Sequence, residues 1–113
     1  MKVLRYGILD KNKKVVEVDN VYDWGRMFEE NEERIVNLTI FIGKHGKVRI
    51  STVFLGLNHS FFEGPPLWFE TMVFGGPLDQ EQDRYTTWDE AKAGHEAMVK
   101  RAKKASKPWW RFW

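Results

Sequence analysis

Two periodicities of apolar residues run along this chain, and their alternation lays out its elements. Residues 2–9 alternate loosely and predict a strand. Residues 10–13 (DKNK) form a polar turn of the type that Asp and Asn favour. Residues 14–18 (KVVEV) then return as a second strand, which completes an N-terminal hairpin. Residues 35–42 carry Val36, Leu38, Ile40 and Ile42 on one face, with Asn37, Thr39 and Phe41 on the other. A glycine-flanked loop, GKHG, follows, and residues 47–57 place Val48, Ile50, Thr52 and Phe54 on one face. That strand becomes apolar on both faces at Val53, Phe54 and Leu55, which predicts an end covered from both sides. Residues 67–74 (LWFETMVF) are the third strong strand, stopped by Gly75, Gly76 and Pro77.

The helical period occurs twice. Val21, Trp24, Met27 and Phe28 form one stripe, opened by Asp19 or Asn20 as N-cap. Glu29, Glu30, Glu32 and Glu33 oppose the negative end of that helix, so it frays near residue 31. The second stripe is Trp88, Ala91, His95, Met98, Val99 and Ala102, opened by Thr86 or Thr87, of which Thr87 stands at capping-box spacing from Glu90. Residues 78–85 (LDQEQDRY) are polar and acidic and take no element. The order predicts an α+β fold: a single antiparallel or mixed sheet of about five strands, with two helices on one face. One domain spans residues 1–107, and residues 108–113 (PWWRFW) are an aromatic tail.

Composition narrows the chemistry. The chain of 113 residues has no cysteine, which removes disulfides, thiol nucleophiles and cysteine metal sites. The first residues lack the apolar core of a secretory signal, and no apolar run approaches the ~18–20 residues of a membrane-spanning helix. A cytoplasmic protein is expected. The net charge of +2 is an average of opposites. Residues 51–96 carry eight acidic and two basic side chains, whereas residues 97–113 carry six basic and no acidic ones. Lys100, Arg101, Lys103, Lys104, Lys107 and Arg111 are interleaved at the end with Trp109, Trp110, Phe112 and Trp113. Basic residues beside aromatics suit single-stranded nucleic acid, by stacking and phosphate contact. The same residues suit a membrane interface, or docking onto this domain or a second copy of it.

No phosphate loop, dinucleotide fingerprint, zinc-protease motif or nucleophile elbow occurs, so neither a metal nor a cofactor is expected. Glu70 interrupts an otherwise apolar strand, and a buried carboxylate needs a partner. It faces a cleft or solvent, or it pairs with a basic residue or a His. His45 sits at a loop tip and is expected exposed, and His95 is expected as a packed, hydrogen-bonded residue of its helix. His59 lies in a loop after the central strand, where function often resides. His59, Glu70, Tyr85 and His95 together are the candidate small-molecule or nucleotide site, sequestering or enzymatic.

Three strings, STVFLGLNHS at residues 51–60, GPPLWFETMVFGG at 64–76 and RYTTWDEAKAGH at 84–95, carry a resemblance. The stretch 50–98 resembles a small uncharacterised protein family encoded by tailed bacteriophages and prophages. The resemblance implies a phage accessory protein made in the host bacterial cytoplasm. It implies no catalytic residues, since the family has no assigned activity. The resulting expectation is a non-enzymatic protein that binds a host or phage macromolecule and modulates a host process or defence. Nucleic-acid binding through the C-terminus is the alternative.

Overall fold

The structure is a computed structural model that describes residues 5–30, 34–58 and 64–107, apart from the side chains of Asp23 and residues 27–30. In chain order the elements are β1 (Tyr6–Leu9), β2 (Val15–Val18), α1 (Val21–Glu30), β3 (Ile35–Gly43), β4 (Gly46–Phe54), β5 (Phe69–Phe74), β6 (Gln82–Tyr85) and α2 (Trp88–Ala105). The class is α+β, as the sequence predicts, but the strands form two sheets. β3-β4-β5-β6 is an antiparallel meander of four strands, and β1-β2 is a separate hairpin. The expected single sheet of about five strands is therefore corrected. Two causes are visible. β4 ends at Phe54, and Gly56 at φ +76° turns the chain out of the sheet. The backbone of the hairpin then joins the continuation through a bridge between Tyr6 and Leu57 and the bonds Gly7 N–H to Gly56 O and Asn58 N–H to Arg5 O, without extending β4 into a fifth strand of the sheet. The second cause is β6, which lies within the polar 78–85 segment and supplies the fourth strand of the meander.

The helices are also divided. α2 packs on β3, β4, β5 and β6, whereas α1 packs on β1 and β2. They do not share one face of one sheet as the pattern suggested.

Local chemistry explains several of these boundaries. Asp10 Oδ1 accepts the N–H groups of Asn12 and Lys14 and closes the β1–β2 turn, in which Lys13 takes a left-handed φ of 64°. Asn20 Oδ1 accepts Tyr22 N–H and caps α1. At α2 the capping box forms: Thr87 Oγ1 accepts Glu90 N–H, and Glu90 Oε1 accepts Thr87 N–H. Asp89 and Glu90 occupy its first turn, and Lys103 and Lys104 its last, both favoured by the helix dipole. At the far end Ser106 O accepts Lys44 N–H, which ties α2 to the β3–β4 turn. Gly75, at φ +90°, is required where it stands, because a Cβ there would lie 2.4 Å from Lys47 O.

The core lies between α2 and the sheet in two apolar clusters. One holds Val48, Ile50, Val73, Met98, Val99 and Ala102. The other holds Leu9, Phe54, Trp68, Phe69 and Ala91. Between them runs a transverse polar row of Thr52 from β4, Thr71 from β5 and His95 from α2, each with no exposed surface. Phe54 and Phe69 contact each other at 5.3 Å between ring centroids, and Phe69 meets Trp88 edge-on.

Strand register decides what faces away from α2. Thr39 is opposite Ile50, and Phe41 opposite Val48, so the Asn37, Thr39 and Phe41 side of β3 turns toward the helix. Leu38, Ile40 and Ile42 consequently turn outward, where they are 49%, 51% and 78% exposed. A register shift between Ile35 and Asn37 makes Val36 the extra residue of a bulge and lets it pack on the second core cluster. The face expected to hold Val36, Leu38, Ile40 and Ile42 together is thus split. Its larger part faces away from the core.

Candidate functional site

Three places combine geometry with chemistry. The first is the polar row. His95 Nδ1 lies 2.7 Å from Thr52 Oγ1, and His95 Nε2 lies 2.8 Å from Thr39 Oγ1. Thr52 Oγ1 in turn lies 2.5 Å from Thr71 Oγ1. One imidazole nitrogen donates and the other accepts, so the ring is satisfied as a neutral group. Burial pushes the His95 pKa below its ordinary value, with the neighbouring Glu96 carboxylate acting weakly the other way. Tyr85 stands next to this row. Its ring packs so closely on Gly94 that a Cβ there would lie 2.2 Å from it. Burial raises the Tyr85 hydroxyl above its usual pKa. The Thr71 hydroxyl offsets part of this without reaching hydrogen-bond geometry with the tyrosine oxygen. A general base must reach its substrate's proton. His95 has no exposed surface, and both ring nitrogens are bonded within the fold, so this row builds the interior.

The second place is a cleft of about 500 Å³ between the β1–β2 turn and the start of α2. Lys13, Lys14, Val15, Trp68, Thr87 and Trp88 are among its lining residues. Lys13 Nζ lies 5.1 Å from the centre of the Trp88 ring. The helix end at the cleft is poorly suited to an anion, because the capping box takes the Thr87 and Glu90 N–H groups and Asp89 and Glu90 add carboxylates there.

The third is the sheet face turned away from α2. β3 contributes Ile35, Leu38, Ile40 and Ile42; β4 contributes Lys47, Arg49, Ser51 and Val53; β5 contributes Glu70, Met72 and Phe74; β6 contributes Gln82 and Arg84. The Arg49 guanidinium sits 4.4 Å from the centre of the Phe74 ring, in the middle of this face. Arg84 Nε donates to Glu70 Oε2 at 3.0 Å. This answers the question of Glu70: it belongs to the outward face and pairs with a basic residue. At one end Arg34, Ile35, Leu38, Ser51, Val53 and Leu55 line a depression of about 380 Å³. Val53 and Leu55, expected to be covered on both sides, border this opening instead.

The residues predicted for one ligand site are placed apart. Glu70 is on the outward face, whereas Tyr85 and His95 lie on the α2 side of the same sheet. His59 lies outside the described residues. Among the basic candidates of α2, Arg101 pairs with Glu81 at 3.0 Å and Lys103 Nζ lies 5.8 Å from the Phe41 ring. Lys100 and Lys104 are exposed, and Lys107 is half-buried. Trp109, Trp110, Arg111, Phe112 and Trp113 lie outside the described residues. Among the described residues no three His, Asp or Glu side chains come together as a metal site. No helix among them is long and apolar enough to cross a membrane.

The sequence did not single out the cleft or the outward face. The face had a signal, since the alternation in residues 35–42 is strong; what it lacked was the side that α2 would cover. No family model, curated protein or solved structure matches this chain.

Proposed function

We propose that this is a non-enzymatic binding protein whose outward sheet face receives another protein. The observation that carries the reading is the exposed apolar stripe Ile35, Leu38, Ile40 and Ile42, extended by Phe74 across the sheet. A contiguous apolar surface of this kind, set among polar residues, is the usual mark of a protein contact. Lys47 and Arg49 stand on the same face, while Arg84 is matched by Glu70. The fitting partner is therefore an apolar surface edged with carboxylates. Aliphatic side chains dominate, and Phe74 is the one aromatic ring there among the described residues, already under Arg49. That favours a protein over stacked nucleic-acid bases. The resemblance of residues 50–98 to a tailed-phage family supports a host or phage protein as the partner. On this reading the protein acts in the host bacterial cytoplasm and modulates a host process or defence.

The test is a photo-crosslinking amino acid placed at Met72, in the middle of the face, with Ala97 on the exposed side of α2 as control. The expected result in infected or expressing cells is a protein adduct of distinct mass from Met72. It should be weakened by Arg49→Glu and absent from Ala97. A nuclease-sensitive adduct, equal capture from both positions, or no adduct from Met72 would overturn the reading.

A further inference from the structure

The two edges of the four-stranded sheet are built very differently. β6 is four residues long, QDRY, and carries Asp83 and Arg84. Short charged edges of this kind resist pairing with another strand. β3, at the opposite edge, is nine residues long, IVNLTIFIG, and contains no charged residue and no proline. Among the described residues it has a strand partner on one side only. A long, uncharged, apolar edge is a template for another strand.

We infer that β3 pairs antiparallel with β3 of a second copy of this chain, joining two four-stranded sheets into one of eight strands. The strand is self-complementary in this arrangement. Centred on Thr39, the pairing sets Leu38 against Ile40 on the outward face and Asn37 against Phe41 on the helix side. No like charges meet along the strand, because it has none. The bulge at Val36 ends the pairing on one side, and the Gly43–Gly46 turn ends it on the other.

The helix side supplies an independent reason for a second copy rather than a foreign strand. Glu96 lies beside Asn37, with Asn37 Nδ2 and Glu96 Oε1 3.5 Å apart. Lys103 lies beside Phe41 at the other end of the strand, with its Nζ 5.8 Å from that ring. The two-fold axis that pairs Asn37 with Phe41 therefore brings Glu96 of each copy toward Lys103 of the other, twice across the junction. Because this axis is perpendicular to the sheet, both copies of α2 lie on one side and both outward faces on the other. The inference concerns the strand edge and does not depend on a partner for the face.

Sedimentation velocity of the full chain, over a concentration series, tests it. The wild type is expected to convert from monomer to dimer as concentration rises. Ile40→Lys, which sets like charges near the axis, should remain monomeric with an unchanged circular dichroism spectrum. Glu96→Lys and Lys103→Glu should each weaken the dimer about tenfold, and the double charge reversal should restore it. A monomer at every concentration would overturn the inference. So would a dimer indifferent to Ile40→Lys, or one that the double reversal fails to restore. A dimer formed through the outward faces would be indifferent to both single charge reversals, which would equally overturn it, since Glu96 and Lys103 are on the other side of the sheet.

Discussion

The two faces of the four-stranded sheet hold similar numbers of apolar side chains and use them in opposite ways. Toward α2, Val48, Ile50, Phe54, Phe69 and Val73 are all at most 2% exposed, and even the threonines between them are fully enclosed. Away from α2, Ile35, Leu38, Ile40 and Ile42 are each about half exposed or more. Hydrophobicity alone does not assign a face to the core. Register and the position of one helix do, and the leftover apolar face is then available for another molecule.

The contrast can be broken most directly by truncation. Phe69→Ala removes a ring with no exposed surface from between Phe54 and Trp88 and should cost roughly 3–5 kcal/mol. Ile40→Ala should stay within about 0.5 kcal/mol of the wild type under conditions where the chain is monomeric. Urea unfolding of both variants measures the difference between the faces. If Ile40→Ala cost as much as Phe69→Ala, the outward face would belong to the core.

A second variant probes tightness on the helix side. Gly94→Ala should raise intrinsic helix propensity by about 1 kcal/mol, yet its Cβ would collide with Tyr85. Overpacking should win by roughly 1–3 kcal/mol, and Tyr85→Ala should remove that penalty in the double variant. Additive losses in the double-mutant cycle would show that the ring does not press on the helix.

Next in size is an effect of pH. The folded His95 pKa is lowered, so below about 6.5 the unfolded chain binds a proton that the folded one does not. Stability contributed by neutral His95 is present above that pH and is lost as pH falls toward the folded value. Unfolding measured at pH 7.5 and 5.5 should show a larger loss for the wild type than for His95→Gln. Equal losses would mean that the imidazole titrates alike in both states.

The ion pair on the outward face should likewise contribute little. Glu70→Gln removes half of a partly exposed ion pair and should change stability by less than about 1 kcal/mol. A larger loss would place Glu70 in the interior.

What the sequence made legible was local. The capping box at Thr87 and Glu90 and the Asp10 turn depend on residues a few positions apart and formed as read, and of the two caps offered for α1, Asp19 and Asn20, it is Asn20 that accepts the Tyr22 N–H. The strands β3, β4 and β5 were legible from their period of two. β6 was not, because QDRY is polar throughout and becomes a strand only by hydrogen bonding to β5. The inversion of β3 was hidden for the same kind of reason. Its alternation shows two faces, but Thr39 and Phe41 turn inward because they share a side with Ile50 and Val48 of the neighbouring strand. Of the candidate site, Glu70 was legible as an anomalous carboxylate, either facing a cleft or solvent or paired with a basic residue or a His, and Arg84 as its partner only through the β5–β6 register. His95 was legible as a packed residue of its helix, but Tyr85 was not, because its segment showed no element, and nothing local shows that the sheet lies between them and Glu70.

The division into a meander and a separate hairpin has a consequence for the order in which the chain assembles. Every strand of the meander is hydrogen-bonded to its neighbour in sequence, and α2 follows immediately, so this sheet needs only short-range closures. The β1-β2 hairpin must instead return across more than forty residues to meet Leu57 and Trp68. Its amide hydrogens are therefore expected to become protected later during refolding, and to exchange first in the native state, making the N-terminal hairpin the part that opens while the meander stays closed.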